Sequence, residues 1–156
     1  MAVKGNYNPY KFLQLLLSAI MFVPSHSLAP FRLNQGESLN ASSSLVSEQF
    51  FTLGFLSLGI DEPNNRSYLG IGIDDPTNPF WIGNRDKPIS DNSGMLSIDG
   101  SGALKLNYSG GDLVKFYSSG QSTGNNLSAI LRRDGNLVLR DGNSGEALWE
   151  SFDHPT

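Results

Sequence analysis

Cysteine is absent from all 156 residues. Its absence excludes disulfides, thiolate zinc sites, cysteine nucleophiles and dithiol redox motifs. Basic side chains are few, 11 Lys and Arg against 15 Asp and Glu, a net charge of −4. Nucleic acids and anionic membranes both reward basic patches, so neither is expected as a partner. Histidine occurs twice, at His26 and His154. Helical periodicity is missing beyond the N-terminus. The one extended apolar run, Phe12 to Val23, is uncharged and 12 residues long. A bilayer span needs roughly 20.

That short run has its own logic. Lys4 and Lys11 precede it, and Pro24 with small residues follows. This is the basic, apolar and small-residue order of a secretory signal peptide. Ser25 and Ser27 supply small residues at −3 and −1, which predicts a signal peptide over 1–27 and a mature, secreted, extracellular domain over 28–156. Cleavage removes two lysines and no acid, leaving 9 basic against 15 acidic groups, a net charge of −6 and no membrane span. The remaining 129 of 156 residues suffice to bury one core without disulfide support.

What the chain has instead is turn chemistry. Seventeen glycines and many Asn, Asp and Ser punctuate short apolar stretches, the signature of an all-β fold of short strands. Two stretches match at an offset of 33 residues: Leu96 to Leu106 followed by Asp112 to Ser118, and Ala129 to Leu139 followed by Gly145 to Ser151. In this register Ile98 meets Leu131, Gly102 meets Gly135, Leu104 and Leu106 meet Leu137 and Leu139, and Phe116 meets Trp149. Repeated units with apolar positions in register stack around a shared core.

Each unit reads as a hairpin followed by a strand carrying a large aromatic. A three-residue loop, Arg133–Asp134–Gly135, places Gly135 in the left-handed position and pairs Arg132 with Asn136. Alternation then sets Leu137 and Leu139 toward the core and Asn136, Val138 and Arg140 on the opposite face. Phe51 to Phe55, Tyr68 to Ile73 and Pro79 to Gly83 read as strands of a more divergent first unit, with Trp81 as its core aromatic. Three units suggest pseudo-threefold symmetry.

Four motifs, taken in order, carry a resemblance. They are Tyr68 to Ile71, Trp81 to Asp91, Asp134 to Leu139, and Leu148 to Thr156. Together they resemble the bulb-type lectin domain of plant S-locus glycoproteins and S-domain receptor-like kinases, over roughly residues 30–156. The resemblance implies a β-prism of three four-stranded antiparallel sheets. It also implies a glycan or cell-surface glycoprotein as partner, or S-domain receptor kinases themselves, no cofactor, and an apoplastic location. In such receptors cysteine-rich modules, a membrane helix and a kinase follow the lectin domain. No glycine-rich phosphate loop leading to a strand lysine occurs here. Asn84–Arg85–Asp86 resembles a kinase catalytic loop only superficially, since the downstream asparagine is missing. The chain is therefore read as a binding module and not an enzyme.

Sugar-binding members of the wider lectin family carry a Gln-x-Asp-x-Asn-x-Val-x-Tyr pattern. Adjacent sugar hydroxyls both donate and accept, as an amide beside a carboxylate can, while valine covers the sugar's carbon face. The matching positions are Arg132, Asp134, Asn136, Val138 and Arg140. Asp, Asn and Val are kept, whereas arginine, which donates but cannot accept, replaces Gln and Tyr. At about 0.5–1.5 kcal/mol per net hydrogen bond, two losses matter greatly to a shallow monosaccharide site. In the middle unit the equivalents are Asp99, Ser101, Ala103, Lys105 and Asn107, of which only Asp99 suits a hydroxyl.

Four N-x-S/T sequons, at Asn40, Asn65, Asn107 and Asn126, are candidate glycosylation sites behind a signal peptide. Asp61–Glu62 and Asp74–Asp75 lack the spacing of a calcium loop, so no metal is expected. His154 has no identifiable partner for general-base work. Two functional readings stand: a carbohydrate-binding module with a degenerate site, and a lectin-fold module that recognises protein.

Overall fold

A computed structural model describes residues 31–48, 50–57, 66–109, 114–118 and 126–155. The expected signal peptide and Asn65 lie outside the described residues. Every sheet is antiparallel and four-stranded. The first orders β1 (Arg32–Asn34), β10 (Leu127–Leu131), β11 (Leu137–Asp141) and β12 (Ala147–Glu150). The second orders β2 (Ser38–Asn40), β7 (Met95–Ile98), β8 (Leu104–Asn107) and β9 (Val114–Tyr117). The third orders β3 (Ser44–Val46), β4 (Phe51–Ser57), β5 (Ser67–Ile73) and β6 (Pro79–Ile82). The predicted three-sheet architecture is thus present, and the strands read from the first unit are β4, β5 and β6.

The repeat is visible atom by atom. Gly135 N donates to Arg132 O at 3.0 Å and Arg132 N to Asn136 O at 2.9 Å. Thirty-three residues earlier, Gly102 N donates to Asp99 O at 2.9 Å and Asp99 N to Ala103 O at 3.1 Å. Both glycines have φ of +83°. That conformation costs any residue with a Cβ roughly 1–2 kcal/mol, which explains glycine at both positions.

Alternation buries one face of most strands: Leu127, Ala129 and Leu131 in β10, Leu96 and Ile98 in β7, Leu104 and Leu106 in β8. These meet in one cluster with Leu53, Leu69 and Ile71 from the third sheet. Each fully buried leucine or isoleucine stabilises the fold by about 1.5–3 kcal/mol relative to exposure, so a core of this kind stands in for the missing disulfides.

Three strands escaped the sequence reading. β1, β2 and β3 are three residues each, and each inserts one leucine, Leu33, Leu39 and Leu45, into the shared core. At one end of the core the aromatics of the three sheets meet. Phe116 lies 5.5 Å from Trp149 and 6.0 Å from Trp81, and the two tryptophans are 6.2 Å apart between centroids. The predicted pairing of Trp81, Phe116 and Trp149 as core aromatics is realised as one cluster. Asn84 is buried: its Oδ1 accepts from Leu69 N at 2.7 Å and its Nδ2 donates to Lys87 O at 2.9 Å. The Asn84–Arg85–Asp86 segment is therefore a pinned turn.

Candidate functional site

Register across the first sheet decides which side chains share a face. Val138 pairs with Ile130 on one side and Glu150 on the other. Arg140 pairs with Ser128 and Ala147. Arg132 closes the hairpin opposite Asn136. Side chains two apart on a strand project together, so Ile130, Arg132, Val138, Arg140, Ala147 and Glu150 line one groove of about 290 Å³.

Each predicted site residue can now be located. Arg132, Val138 and Arg140 lie in the groove, and Val138 is only 1% exposed. Asp134 stands at the hairpin tip, its Oδ1 accepting from Asn136 N at 3.1 Å and its Oδ2 lying 3.3 Å from Arg132 Nη2. Arg140 Nη2 donates to Gly145 O at 2.8 Å, which leaves the rest of its guanidinium fork to other acceptors.

Asn136 departs from the expectation that its amide faces outward. It is 3% exposed. Its Nδ2 donates to Glu150 Oε2 at 2.6 Å, while its Oδ1 accepts from Ser151 Oγ at 3.0 Å and Phe152 N at 3.3 Å. Ser151 Oγ in turn accepts from Leu137 N at 3.0 Å. The physical reason is β12: it brings a carboxylate and the following turn against the amide, and a buried amide takes the partners within reach.

Glu150 was not among the residues singled out from sequence. The signal was present, because Trp149 was assigned to the core and alternation turns its neighbour to the opposite face. Its carboxylate restores an acceptor to a groove whose arginines supply only donors. The groove thus combines guanidinium donors, carboxylate acceptors and an apolar floor, chemistry suited to a polyhydroxylated or anionic ligand.

The middle-unit equivalents are organised differently. Lys105 Nζ lies 2.7 Å from Asp99 Oδ2, and Ser101 Oγ donates to Asp99 Oδ1 at 2.6 Å. The ammonium of Lys105 first, then the Ser101 hydroxyl, holds the Asp99 carboxyl well below the usual carboxylate range. Asp99 is committed to its own hairpin, with less left for a ligand than the sequence suggested. His154 stacks on Trp149 with centroids 5.4 Å apart, and its carbonyl accepts from Trp81 Nε1 at 3.0 Å.

Three sequons fall among the described residues. Asn40 is exposed at the end of β2, with Oδ1 accepting from Ser42 Oγ at 2.8 Å. Asn107 is half-buried on β8. Asn126 is exposed, and its Nδ2 donates to Asn143 Oδ1 at 3.0 Å.

With this geometry in place, three kinds of similarity can be reported. Residues 77–156 match the family model described as D-mannose binding lectin. Two G-type lectin S-receptor-like serine/threonine-protein kinases of Arabidopsis thaliana are each 35% identical, over 149 and 148 residues. These matches cover 93% and 92% of this chain but 18% and 17% of the relatives, so the chain spans under a fifth of their length. Among solved structures, a monomeric monocot mannose-binding lectin from Gastrodia elata is 25% identical with a TM-score of 0.52, covering 80% of this chain and 98% of its own. A lectin from Marasmius oreades is 14% identical with a TM-score of 0.55, covering 78% of this chain and 90% of its own, a likeness of fold.

Proposed function

We propose, from the premise that this chain belongs to the D-mannose binding lectin family, that it is a carbohydrate-recognition module whose ligand occupies the β10–β11–β12 groove. The observation that carries this reading is the groove itself, because Arg132, Val138 and Arg140 line it together with Glu150. Asp134 serves at the rim, and Asn136 acts as a positioning residue that holds Glu150. The module is a binder and not a catalyst. It acts outside the cell, delivered by the signal peptide over 1–27 and carrying glycans on its sequons.

The site is an altered one. With arginine at 132 and 140, donors outnumber those of a mannose site, so anionic or highly oxygenated glycans are preferred over neutral mannose. Charge-assisted contacts at an exposed rim weaken with salt. Glycan-array binding and titration calorimetry on secreted protein test this. Wild type binds an acidic glycan in a salt-sensitive manner, and the double substitution Arg132→Gln, Arg140→Tyr gains neutral mannose binding. Wild type that binds no glycan at any salt concentration, with a double variant that still ignores mannose, would sink the reading.

A second reading has one observation in its favour. The Asn136 amide is satisfied internally, as it would be in a module that has given up sugar and pairs with protein, such as the ectodomain of an S-domain receptor. Retained binding to such an ectodomain by a variant with the groove blocked, together with a silent glycan array, would favour it.

A further inference from the structure

The groove does not end at Arg132. A second hollow of about 370 Å³ adjoins it, lined by Phe31, Glu48, Ile130, Arg132, Arg133 and Asp134. Ile130 and Arg132 belong to both hollows, so the two share a wall. Each lies near the small end of the range for ligand pockets, about 300–1,000 Å³. With Ile130 and Arg132 lining both, the two hollows are neighbours on one face of the first sheet.

Three separate chain segments build the second hollow: the residue before β1, the segment after β3 and the β10–β11 turn. Arg133 Nε donates to Glu48 Oε2 at 2.7 Å, tying two of them together. The third is fixed by Phe31, whose carbonyl accepts from Leu131 N at 2.9 Å. The Phe31 ring is 41% exposed, and the Arg32 guanidinium carbon sits 5.2 Å from its centroid. Sequence reasoning found none of Phe31, Glu48 and Arg133 as ligand contacts.

We infer that the two hollows are consecutive subsites for adjoining residues of one oligosaccharide, with Phe31 against the carbon face of the second ring. The inference rests on the glycan-binding reading above. A pyranose has an apolar carbon face and a hydroxyl rim. The second hollow offers one exposed aromatic, two carboxylates that accept from hydroxyls, and two guanidiniums that donate to them. An apolar peptide segment would instead strip water from Glu48, Asp134 and Arg133 and return no hydrogen bonds. Arg132 stands between the subsites, able to reach a linkage oxygen or a hydroxyl of either ring.

The test compares chain lengths within a sugar series on the full chain secreted from a eukaryotic host. Methyl α-mannoside is titrated against α-1,3-mannobiose, and galacturonic acid against digalacturonate. In whichever series binds, the disaccharide binds about tenfold tighter than the monosaccharide. Phe31→Ala and Glu48→Gln, neither of which lines the first groove, return the disaccharide to the monosaccharide's affinity and leave the monosaccharide unchanged. A monosaccharide that binds with no gain on lengthening, or a gain that survives both substitutions, overturns the two-subsite inference while the glycan reading stands. Silence in both series at both lengths overturns the two-subsite inference, and the glycan reading then stands or falls by the array.

Discussion

Asn136 Nδ2 donates to Glu150 Oε2 at 2.6 Å, joining the end of the β10–β11 hairpin to β12 beside the candidate groove. On the glycan-binding reading proposed above, the bond divides two roles that a motif reading assigns to one residue: the amide positions, and the carboxylate faces the ligand.

Substitution at the two ends of this bond has different outcomes. Asn136→Ala takes the acceptor from the buried Ser151 hydroxyl and the part-buried Phe152 N–H and lowers stability by about 2–4 kcal/mol. Glu150→Gln keeps an acceptor for the amide, costs about 1 kcal/mol or less, and still weakens glycan binding through the lost carboxylate. Thermal denaturation and calorimetric titration of both variants check this. Equal destabilisation would refute the division of roles.

Gly135 is constrained twice. Its φ is +83°, and a Cβ there would stand 2.8 Å from Phe80 Cζ and 3.0 Å from Phe51 Cδ1. Gly135→Ala is expected to cost at least about 1–2 kcal/mol from the backbone alone and to lower Tm by several degrees. Gly100, in the middle-unit hairpin, has nothing within 4 Å of its Cβ position and no positive φ. Gly100→Ala therefore leaves Tm essentially unchanged, and a scan of the two variants decides the matter.

Acid sensitivity has a named contributor. Asp99 is held below its ordinary pKa in the fold, by Lys105 before all else. A depressed folded value means that its contribution is fully present above the unfolded value, about 3.9. The contribution erodes as pH falls below that value and is gone once pH passes the folded one. Lys105→Met should flatten this part of the stability curve, so that the loss between pH 5 and pH 2 is smaller than in wild type. Urea midpoints across that range, read for both proteins, check it; parallel curves would assign the acid loss elsewhere.

Processing gives a further prediction. Protein recovered from the medium of expressing plant cells should begin at Leu28, and glycosidase treatment should lower its apparent mass. Asn126→Gln removes one increment of mass if that sequon is used. Full-length protein retained inside the cell would end the extracellular reading.

Much of the fold could be read in the sequence because the 33-residue repeat places Gly102 with Gly135 and Phe116 with Trp149, and the hydrogen bonds repeat with them. The three N-terminal strands could not be read by the same means. A strand of three residues is too short to show alternation, and the partners of β1 and β2 lie in distant units. Leucine at 33, 39 and 45, every sixth residue, was the trace they left. At the candidate site, alternation placed Val138 and Arg140 on one face, and the hairpin pairing with the family pattern added Arg132. The inward turn of Asn136 did not, since it depends on Glu150 and Ser151, fourteen and fifteen residues away.

Dealing the first three strands one to each sheet also governs how the chain assembles. Ser44 needs only Gly54, ten residues on, whereas Ser38 waits for Ser97 and Arg32 for Ile130. The earliest-made strand has the most distant partner, so the topology carries a high contact order and the loop-closure entropy that slows such folds. During synthesis the third sheet can form first. β1 keeps an unpaired edge until β10 has been translated, and exposed edges invite association with other chains. Loss of the last thirty residues would therefore harm the beginning of the chain as much as its end.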